Sequence, residues 1–381
     1  MWAPEAAAQD TTEEVSAAQD TTEEDTTEEV AEPTAGYRSG FFIRSNDEPF
    51  DLRINGRVQA RYQHVATEGE DTNEGAFSIP RARLTFSGHA FADELSYKFE
   101  LDFGKGTFAT KDFYLDYAFN PNIRLRIGQY KLPFSRQQLN SSGRLDFVDR
   151  SITNRSFGAG RDIGIMVHNG YTSSPEFEYG FGVFNGTGDK GRFSGAVNDE
   201  GEVSGSFSNV PDVLNPTLAL RLGYNYGGIR GYREADLEGG GFRAAVGMSA
   251  IADFDSMAGE EGGVAAELDY MVKVEGFSTS GGVYIATVQD GESFGDQAVD
   301  TIGAHVQASY MITDTIQPAV RFATVAPEGD DNNSTEILGG ISAYFFGHGL
   351  KWQTDAGAII SEGDGGSTSE VVVRSQLQLS F

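Results

Sequence analysis

The sequence predicts an all-β fold: a transmembrane antiparallel β-barrel of 16 strands, preceded by a disordered acidic N-terminal segment. Three observations predict it. Polar and apolar residues alternate from Phe50 onward, the connections between the alternating segments are short and long in turn, and no apolar run approaches the length of a membrane helix. A helix that spans a bilayer needs about 20 consecutive apolar residues. Only a closed barrel, whose backbone groups all pair within the sheet, then remains as a membrane-crossing fold.

Residues 1–49 have a composition of their own, with 2 basic and 13 acidic residues. The pentapeptide Asp-Thr-Thr-Glu-Glu occurs three times in this segment, starting at Asp10, Asp20 and Asp25. A polar segment of uniform charge cannot bury enough apolar surface to offset the entropy lost on ordering. We therefore expect residues 1–49 to be disordered, either as a solvated spacer or as a tail that binds a cationic or peptidoglycan-linked partner. Residues 50–381 then form the barrel.

The first predicted strand shows the alternation most clearly. From Asp51 to Gln63, polar side chains occupy the odd positions and apolar or small side chains the even ones. Such a period of two places polar and apolar residues on opposite faces of a strand, as the lumen and the lipid require of a barrel wall. The 16 strands are predicted near residues 50–65, 79–91, 95–103, 110–119, 123–132, 161–169, 177–184, 217–226, 241–251, 263–274, 277–287, 302–312, 316–325, 336–346, 350–360 and 370–381.

The connections between these strands also indicate an outer-membrane barrel, in which short periplasmic turns alternate with longer outer loops. Tight turns such as 92–94 and 275–276 follow the even-numbered strands, while the 104–109 loop and the long 227–240 turn are exceptions. This order predicts that both termini lie in the periplasm. The longer loops are predicted at 66–78, 133–160, 185–216, 252–262, 288–301, 326–335 and 361–369.

The last predicted strand adds a separate indication of location. Leu377, Leu379 and the terminal Phe381 share one face of this strand, and an aromatic C-terminal residue is characteristic of proteins handled by the outer-membrane insertion machinery. A soluble sandwich is the alternative, but its outer faces would be polar. We therefore expect an integral protein of the bacterial outer membrane, in contact with lipid and lipopolysaccharide.

Charge and residue usage exclude several functions. The net charge of −29 argues against a nucleic-acid partner, which would require basic patches. The chain has no cysteine and its five histidines show no metal-ligand spacing, so we expect no metal site and no cofactor. A calcium-binding loop at 330–334 is weighed against an ordinary turn, which the incomplete motif favours. Since no serine and histidine pair is marked out as a nucleophile and its base, we do not expect an enzyme.

Basic residues are concentrated in one part of this acidic chain. Residues 50–161 contain 16 basic and 13 acidic residues, whereas residues 162–381 contain 10 and 31. By strand parity, many of the basic residues point into the lumen from neighbouring strands, where rings of Arg or Lys favour anions. The alternative for each one is simple pairing with an acid on the next strand. The predicted basic wall consists of Arg53, Arg57, Arg61, Arg81, Arg83, Lys98, Arg124 and Arg126.

Two groups of motifs in this basic part resemble the phosphate-selective porin O and P family. The first group is Tyr97–Gly104, Lys111–Tyr117 and Leu125–Ser135, and the second is Leu139–Ser142, Leu145–Ser151 and Gly160–Gly164. The resemblance implies a sixteen-stranded, usually trimeric barrel that conducts anions. It also implies that the 133–160 loop folds inward and forms the constriction.

The resemblance further implies a site for the ion. Lys131 and Arg144 would form it with Arg81 and Arg83, and Asp102 would accept a hydrogen bond from protonated phosphate. Lys131 does not share the parity of Arg124 and Arg126, so its place in this site requires a bulge near Gly128 or a loop that already bends inward.

Three functional hypotheses follow. The first is a porin for small anions, with phosphate favoured. The second is a general or weakly selective porin for other small solutes, such as dicarboxylates or sulfate, because inward Glu267, Asp269 and Asp355 oppose the basic wall. The third is a structural or receptor barrel that is plugged by the 133–160 and 185–216 loops.

Overall fold

The computed structural model describes residues 34–46, 49–69, 73–186, 193–197, 203–207, 216–254, 263–288, 301–327, 333–363 and 366–381. The expectations for residues 1–33, for much of the 185–216 loop and for a calcium site at 330–334 lie largely or wholly outside these residues. Among the described residues, no helix has the length and apolar character that spanning a membrane requires.

The described part of the chain contains 20 strands, 16 of which form the barrel, and two short α-helices. The barrel strands are β3–β9 and β12–β20. The strands are β1 Ala35–Tyr37, β2 Phe41–Arg44, β3 Asp51–Thr67, β4 Asn73–Ala90, β5 Ala92–Asp102, β6 Ala109–Asn120, β7 Ile123–Lys131, β8 Arg161–His168, β9 Phe177–Phe184, β10 Phe193–Val197, β11 Val203–Phe207, β12 Thr217–Tyr226, β13 Arg243–Asp253, β14 Gly263–Val274, β15 Phe277–Val288, β16 Thr301–Tyr310, β17 Ile316–Pro327, β18 Ser334–Phe346, β19 Leu350–Gly363 and β20 Gly366–Ser380; the helices are α1 Arg136–Leu139 and α2 Ile152–Phe157.

Each barrel strand pairs antiparallel with its neighbours, and two pairings close the ring. β20 pairs with β3 from Glu370↔Thr67 to Ser380↔Arg57. β9 pairs with β12, so the barrel continues past the separate β10–β11 hairpin. The predicted fold is therefore confirmed, and each of the 16 predicted strands overlaps one strand of the barrel.

Disorder was expected up to residue 49, but this prediction was wrong for Ala35–Tyr37 and Phe41–Arg44, which form two strands at the N-terminal edge of the barrel. The short strands β1 and β2 pair with each other, and β2 pairs with the start of β3. The ring of Phe381 lies over Gly56 of β3, where an added Cβ would approach the Phe381 ring to 2.4 Å. Backbone hydrogen bonds of 3.0 and 3.1 Å join the same two residues. The last residue therefore completes the seam between the last and first barrel strands.

The two faces of the barrel wall have opposite polarity. Outward side chains such as Val283, Ile302 and Val320 are 54%, 58% and 63% exposed, whereas inward Gln307 and Glu336 are buried. A soluble protein places its large apolar groups mainly inside. An apolar exterior around a polar interior is instead what a barrel in lipid requires.

Two connecting segments occupy the lumen. The 132–160 segment, which links β7 and β8, buries Phe134, Phe147 and Val148. Phe147 packs against Ala319 and Leu338 of the opposite wall. The 227–242 segment links β12 and β13. Because β12 is the eighth strand of the barrel, this segment enters from the end that carries the short turns. The sequence had marked this second segment only as a turn of unusual length.

Replacing Val320 by Arg tests the assignment of the outer face. Val320 lies near the middle of β17, and an arginine on the lipid face near the bilayer midplane costs about 2–4 kcal/mol. We therefore expect V320R to lower the urea midpoint of unfolding in lipid vesicles. V320L, the matched control, should unfold like the unmodified protein. If V320R and V320L were equally stable, this face would not be in contact with lipid.

Candidate functional site

A polar cavity of about 320 Å³ lies between the β4–β8 wall and the two inward segments. Six of its lining side chains are cationic and two are carboxylates, and one side of it carries four tyrosines. The lining residues are Arg83, Lys98, Glu100, Asp112, Tyr114, Arg126, Tyr130, Lys131, Leu139, Ser141, Arg144, Arg161, Tyr171, Thr172 and Tyr232.

The cavity brings together part of the predicted site. Of the five residues expected at the constriction, Arg83, Lys131 and Arg144 line the cavity, and Lys98 and Arg126 of the predicted basic wall join them. The other predicted residues are not among its lining residues; these are Arg81, Asp102, Arg53, Arg57, Arg61 and Arg124.

Arg61 and Arg81 hold the inward loop rather than line the cavity. Both guanidinium groups bond Asp149 of the 132–160 segment, each at 3.1 Å. The two arginines, with burial opposing them, keep the pKa of Asp149 below its ordinary value. Arg57 likewise donates to Ser141 of the loop at 2.8 Å. These wall cations therefore position the loop.

Arg83 is fixed by the acids beside it. Its Nε donates to Oδ2 of Asp102 at 2.8 Å and its Nη1 to Glu100 at 2.9 Å. The other oxygen of Asp102 accepts from the backbone N–H groups of Ala82 and Gly104. The role of Asp102 as an acceptor for protonated phosphate stays a prediction, and the phosphate O–H would have to replace Arg83 as a donor to this carboxylate.

Arg161 is a cavity cation that the sequence reasoning missed. Its Nε donates to Asp112 at 2.6 Å, and Lys98 bonds the other oxygen of Asp112 at 2.5 Å. Arg161 pairs with Lys131 across the β7–β8 register. The available signal was its place in the Gly160–Gly164 motif, directly after the loop.

Arg126 forms the boundary between the charged and aromatic sides of the cavity. Its guanidinium lies 4.2 Å from the ring centroid of Tyr114 and 5.3 Å from that of Tyr130. Arg126 and Arg124 both bond the buried carboxylate of Asp116. A cation stacked on a ring and fixed by a carboxylate is held in one orientation.

Lys131 is the last residue of β7, and its Nζ donates to three loop carbonyls. These belong to Gln138, Leu139 and Asn140, at 2.7, 3.1 and 3.0 Å. Arg150 donates to the carbonyls of Gln137 and Asn140. The two cations thus satisfy the carbonyls at the C-terminal end of α1, where acceptors are left unpaired.

Arg150 keeps its charge in this arrangement. Burial, with a smaller effect of the nearby Arg81, lowers the pKa of Arg150 to about 10. The group is therefore protonated at neutral pH.

Arg144 is the exposed cation of the cavity. Burial of part of its side chain and the nearby Arg233 and Arg230 lower its pKa. Since a guanidinium group loses its proton only in strongly basic solution, Arg144 is charged at neutral pH. Arg144 and the two arginines of the 227–242 segment concentrate positive charge beside the cavity.

The acids of the second half of the barrel are paired with cations or loop groups. Asp269 bonds both Arg136 and Arg221, and Asp355 bonds Arg374 at 2.6 Å. Glu267 accepts from Ser249 and from Ser135 of the loop. These carboxylates were expected to oppose the basic wall, but their contacts anchor the loop and balance buried charge.

The opposite wall also holds the loop through its backbone. Lys351 donates to the carbonyl of Leu145 at 2.9 Å, Arg321 donates to that of Asp149 at 2.9 Å, and Asp355 accepts from the N–H of Val148 at 2.8 Å. The 132–160 segment is therefore bonded to both sides of the lumen.

The two inward segments meet at Glu234. Its carboxylate accepts from the backbone N–H of Asp146 at 2.8 Å and from the Asn140 amide at 3.2 Å. Its own N–H donates to the Arg144 carbonyl at 3.2 Å. The position of Arg144 thus depends on both segments.

Asp146 makes this contact sensitive to pH. Burial, and next the Glu234 carboxylate, raise the pKa of Asp146 from 3.8 to about 7, although Ser309, Lys273 and Lys351 act in the opposite direction. Asp146 has this raised pKa only while the two segments are in contact. Between pH 3.8 and about 7, Asp146 is therefore protonated in the contact but ionised when the segments separate. The contact is strongest at acid pH and weakens as the pH rises towards 7.

We expect single-channel current fluctuations to become more frequent as the pH rises from about 4 to about 7, as ionised Asp146 repels Glu234. In D146N, which cannot ionise at this position, the increase in fluctuations over that range should be smaller. Recordings in planar bilayers test this. A pH dependence retained unchanged in D146N would contradict the assignment to Asp146.

Among the described residues, no group of three or more His, Asp or Glu side chains is placed to hold a metal ion.

Residues 52–220 match the model of the family described as phosphate-selective porin O and P, which confirms the resemblance noted in the sequence. No curated protein sequence is significantly similar to the chain.

Solved outer-membrane channels share the fold. An anion-selective porin from Comamonas acidovorans is 12% identical with a TM-score of 0.56, covering 87% of this chain and 99% of that one. The outer membrane channel DcaP of Acinetobacter baumannii is 14% identical with a TM-score of 0.58, covering 87% and 97%. A trimer form of OmpT from Vibrio cholerae is 11% identical with a TM-score of 0.51, covering 85% and 99%. The family match and the barrel together support an outer-membrane porin, a channel rather than an enzyme.

Proposed function

We propose, from the membership of residues 52–220 in the phosphate-selective porin O and P family, that the protein lets small anions diffuse across the outer membrane and that phosphate is favoured among them. The observation that carries the proposal is the charge of the cavity, with six cationic lining side chains against two carboxylates. The cavity beside the inward loop is, in this proposal, the narrow part of the path.

The arrangement of these charges suits passage as well as binding. An anion that sheds water needs cationic groups to replace its hydration, but it must also be able to leave. Arg83, Arg126 and Arg161 are each already bonded to a carboxylate. An anion therefore competes with a built-in acid at each of them, which limits how long it is held. Arginine forks also match phosphate oxygens in geometry.

The paired acids of the opposite wall favour this proposal over a weakly selective pore. Asp269 and Asp355 bond Arg136, Arg221 and Arg374, so they oppose the basic wall less than their number suggests. A general porin for other small solutes remains the alternative, since Glu100 and Asp112 face the same cavity.

A plugged barrel is a further functional hypothesis, and one observation favours it. The two inward segments bond each other in the lumen through Glu234, Asp146 and Asn140. A barrel closed by this contact would serve as a structural protein or a receptor. It would carry no steady current.

The orientation in the envelope forms part of the proposal. The first barrel strand, β3, begins at the end of the barrel that carries the short turns, and the last, β20, finishes there. We place this end of the barrel and both chain termini in the periplasm. The long loops then face lipopolysaccharide, and the acidic N-terminal segment is available to a periplasmic partner.

Replacing Arg144 by Gln tests the anion path. Hydrogen bonds to charged groups are worth about 1.5–3 kcal/mol, and every 1.4 kcal/mol corresponds to a factor of about ten. We therefore expect R144Q to weaken phosphate block of chloride current by about 10- to 100-fold, and to shift the reversal potential in a chloride gradient towards zero. Planar-bilayer recordings measure both.

R155Q is the matched control, because Arg155 is exposed on the same loop and does not line the cavity. It should behave like the unmodified protein. Cation preference, or anion current without phosphate block, would contradict the anion porin and support a general porin. The lack of any steady current would leave the plugged barrel.

We further propose a homotrimer, which the trimer form among the similar structures supports. Light scattering of the protein in mild detergent should give three chains per particle after the detergent contribution is subtracted. Particles with one chain at all protein concentrations would contradict this assembly.

A further inference from the structure

The cavity has two chemically different sides, and only one of them suits an inorganic ion. Arg83, Lys98 and Arg161, with their carboxylates, form the charged side. The other side is formed by aromatic rings and one leucine. Its members are Tyr114, Tyr130, Leu139, Tyr171 and Tyr232.

Two of the four tyrosines of this aromatic side have their hydroxyl groups engaged elsewhere. The Tyr232 hydroxyl donates to Glu178 at 2.7 Å and accepts from Arg221 at 2.8 Å, and neither partner lines the cavity. The Tyr130 hydroxyl points to the backbone of Arg126. Tyr130 and Tyr232, both largely buried, therefore meet the cavity with ring atoms, and Tyr114 is the half-buried ring of this side.

The rings form one continuous surface. Tyr114 packs edge-on against Tyr130, with ring centroids 5.9 Å apart, and Tyr171 packs edge-on against Tyr232 at 6.4 Å. Tyr130, Leu139, Tyr171 and Tyr232 belong to one apolar cluster, against which Tyr114 packs. Aromatic groups gain by stacking or edge contact with a further ring.

Inorganic phosphate has no apolar surface with which to contact this side. An organic anion has such a surface, and its charged head can reach the arginines across the cavity. The volume of about 320 Å³ lies at the lower end of the range of about 300–1,000 Å³ that is usual for organic ligands. The cavity therefore has room for one small ring with its anionic group.

We propose that the preferred solutes of this cavity are small organic anions with a planar apolar body, carrying a phosphate or carboxylate head. This inference rests on the proposed anion path and narrows its substrate class. The head contacts the cationic side, and the body lies against the tyrosines. Inorganic phosphate uses the first contact alone.

The experiment compares block of chloride current by phenyl phosphate with block by inorganic phosphate, and block by benzoate with block by acetate. We expect the ring-bearing member of each pair to block at a concentration about 3- to 10-fold lower, the range that aromatic contacts provide. The two pairs show whether a phosphate or a carboxylate head gives the stronger block.

Variants of Tyr114 assign the effect to the aromatic side. Y114L should abolish the preference for the ring-bearing probes, and Y114F should keep it. Y117L is the matched control, because Tyr117 lies on the same strand with its side chain on the outer face, 40% exposed; it should also keep the preference. If Y114L failed to insert, the comparison of probes on the unmodified protein would still decide the inference.

The two levels of the proposal fail differently. Anion preference in the chloride gradient with equal block by ring-bearing and ring-free probes would overturn this inference and leave the anion porin. A ring preference unchanged in Y114L would overturn the role of the aromatic side. Loss of anion preference altogether would overturn both.

Discussion

The closed pairing of the sheet is the constraint on which the rest of the structure depends. In lipid every backbone N–H and C=O must find a partner within the protein, and here β20 pairs with β3 and β9 pairs with β12 to leave no open edge in the described barrel. Closure fixes the parity of each strand, because the apolar face must be outside. It therefore also decides which charged side chains are confined to the lumen, where they must find partners of opposite charge or loop groups to bind.

Confinement of charge explains how a strongly acidic chain can have a cationic cavity. Buried ions are costly unless they are paired, and the lumen pairs them in separate groups. Asp116 takes Arg124 and Arg126, Asp112 takes Lys98 and Arg161, and Asp149 takes Arg61 and Arg81. The Asp116 and Asp149 groups leave cations in excess of carboxylates, whereas Glu100 and Asp102, which also bond Arg83, balance the Asp112 group. The Asp149 pairs also position the loop, so the charge of the lumen wall and the position of the loop depend in part on the same residues.

The sequence predicted the barrel well because a wall between lipid and lumen imposes a period of two on every strand. It did not predict β1 and β2, which are too short to show a period. The site was harder. Parity correctly placed Arg81 and Arg61 inward but could not reveal that they bond the loop through Asp149. Tyr114 alternates with outward residues just as Asp112 and Asp116 do, yet a polar and apolar pattern counts it as apolar. The 227–242 segment was read as a turn because nothing local indicates that a connection folds inward.

The contact at Glu234 links the two ends of the barrel mechanically. The 132–160 segment descends from the long-loop end and the 227–242 segment rises from the short-turn end, and hydrogen bonds join them beside Arg144. A displacement of the 227–242 segment would therefore act directly on the backbone at Arg144 and Asp146, beside the cavity.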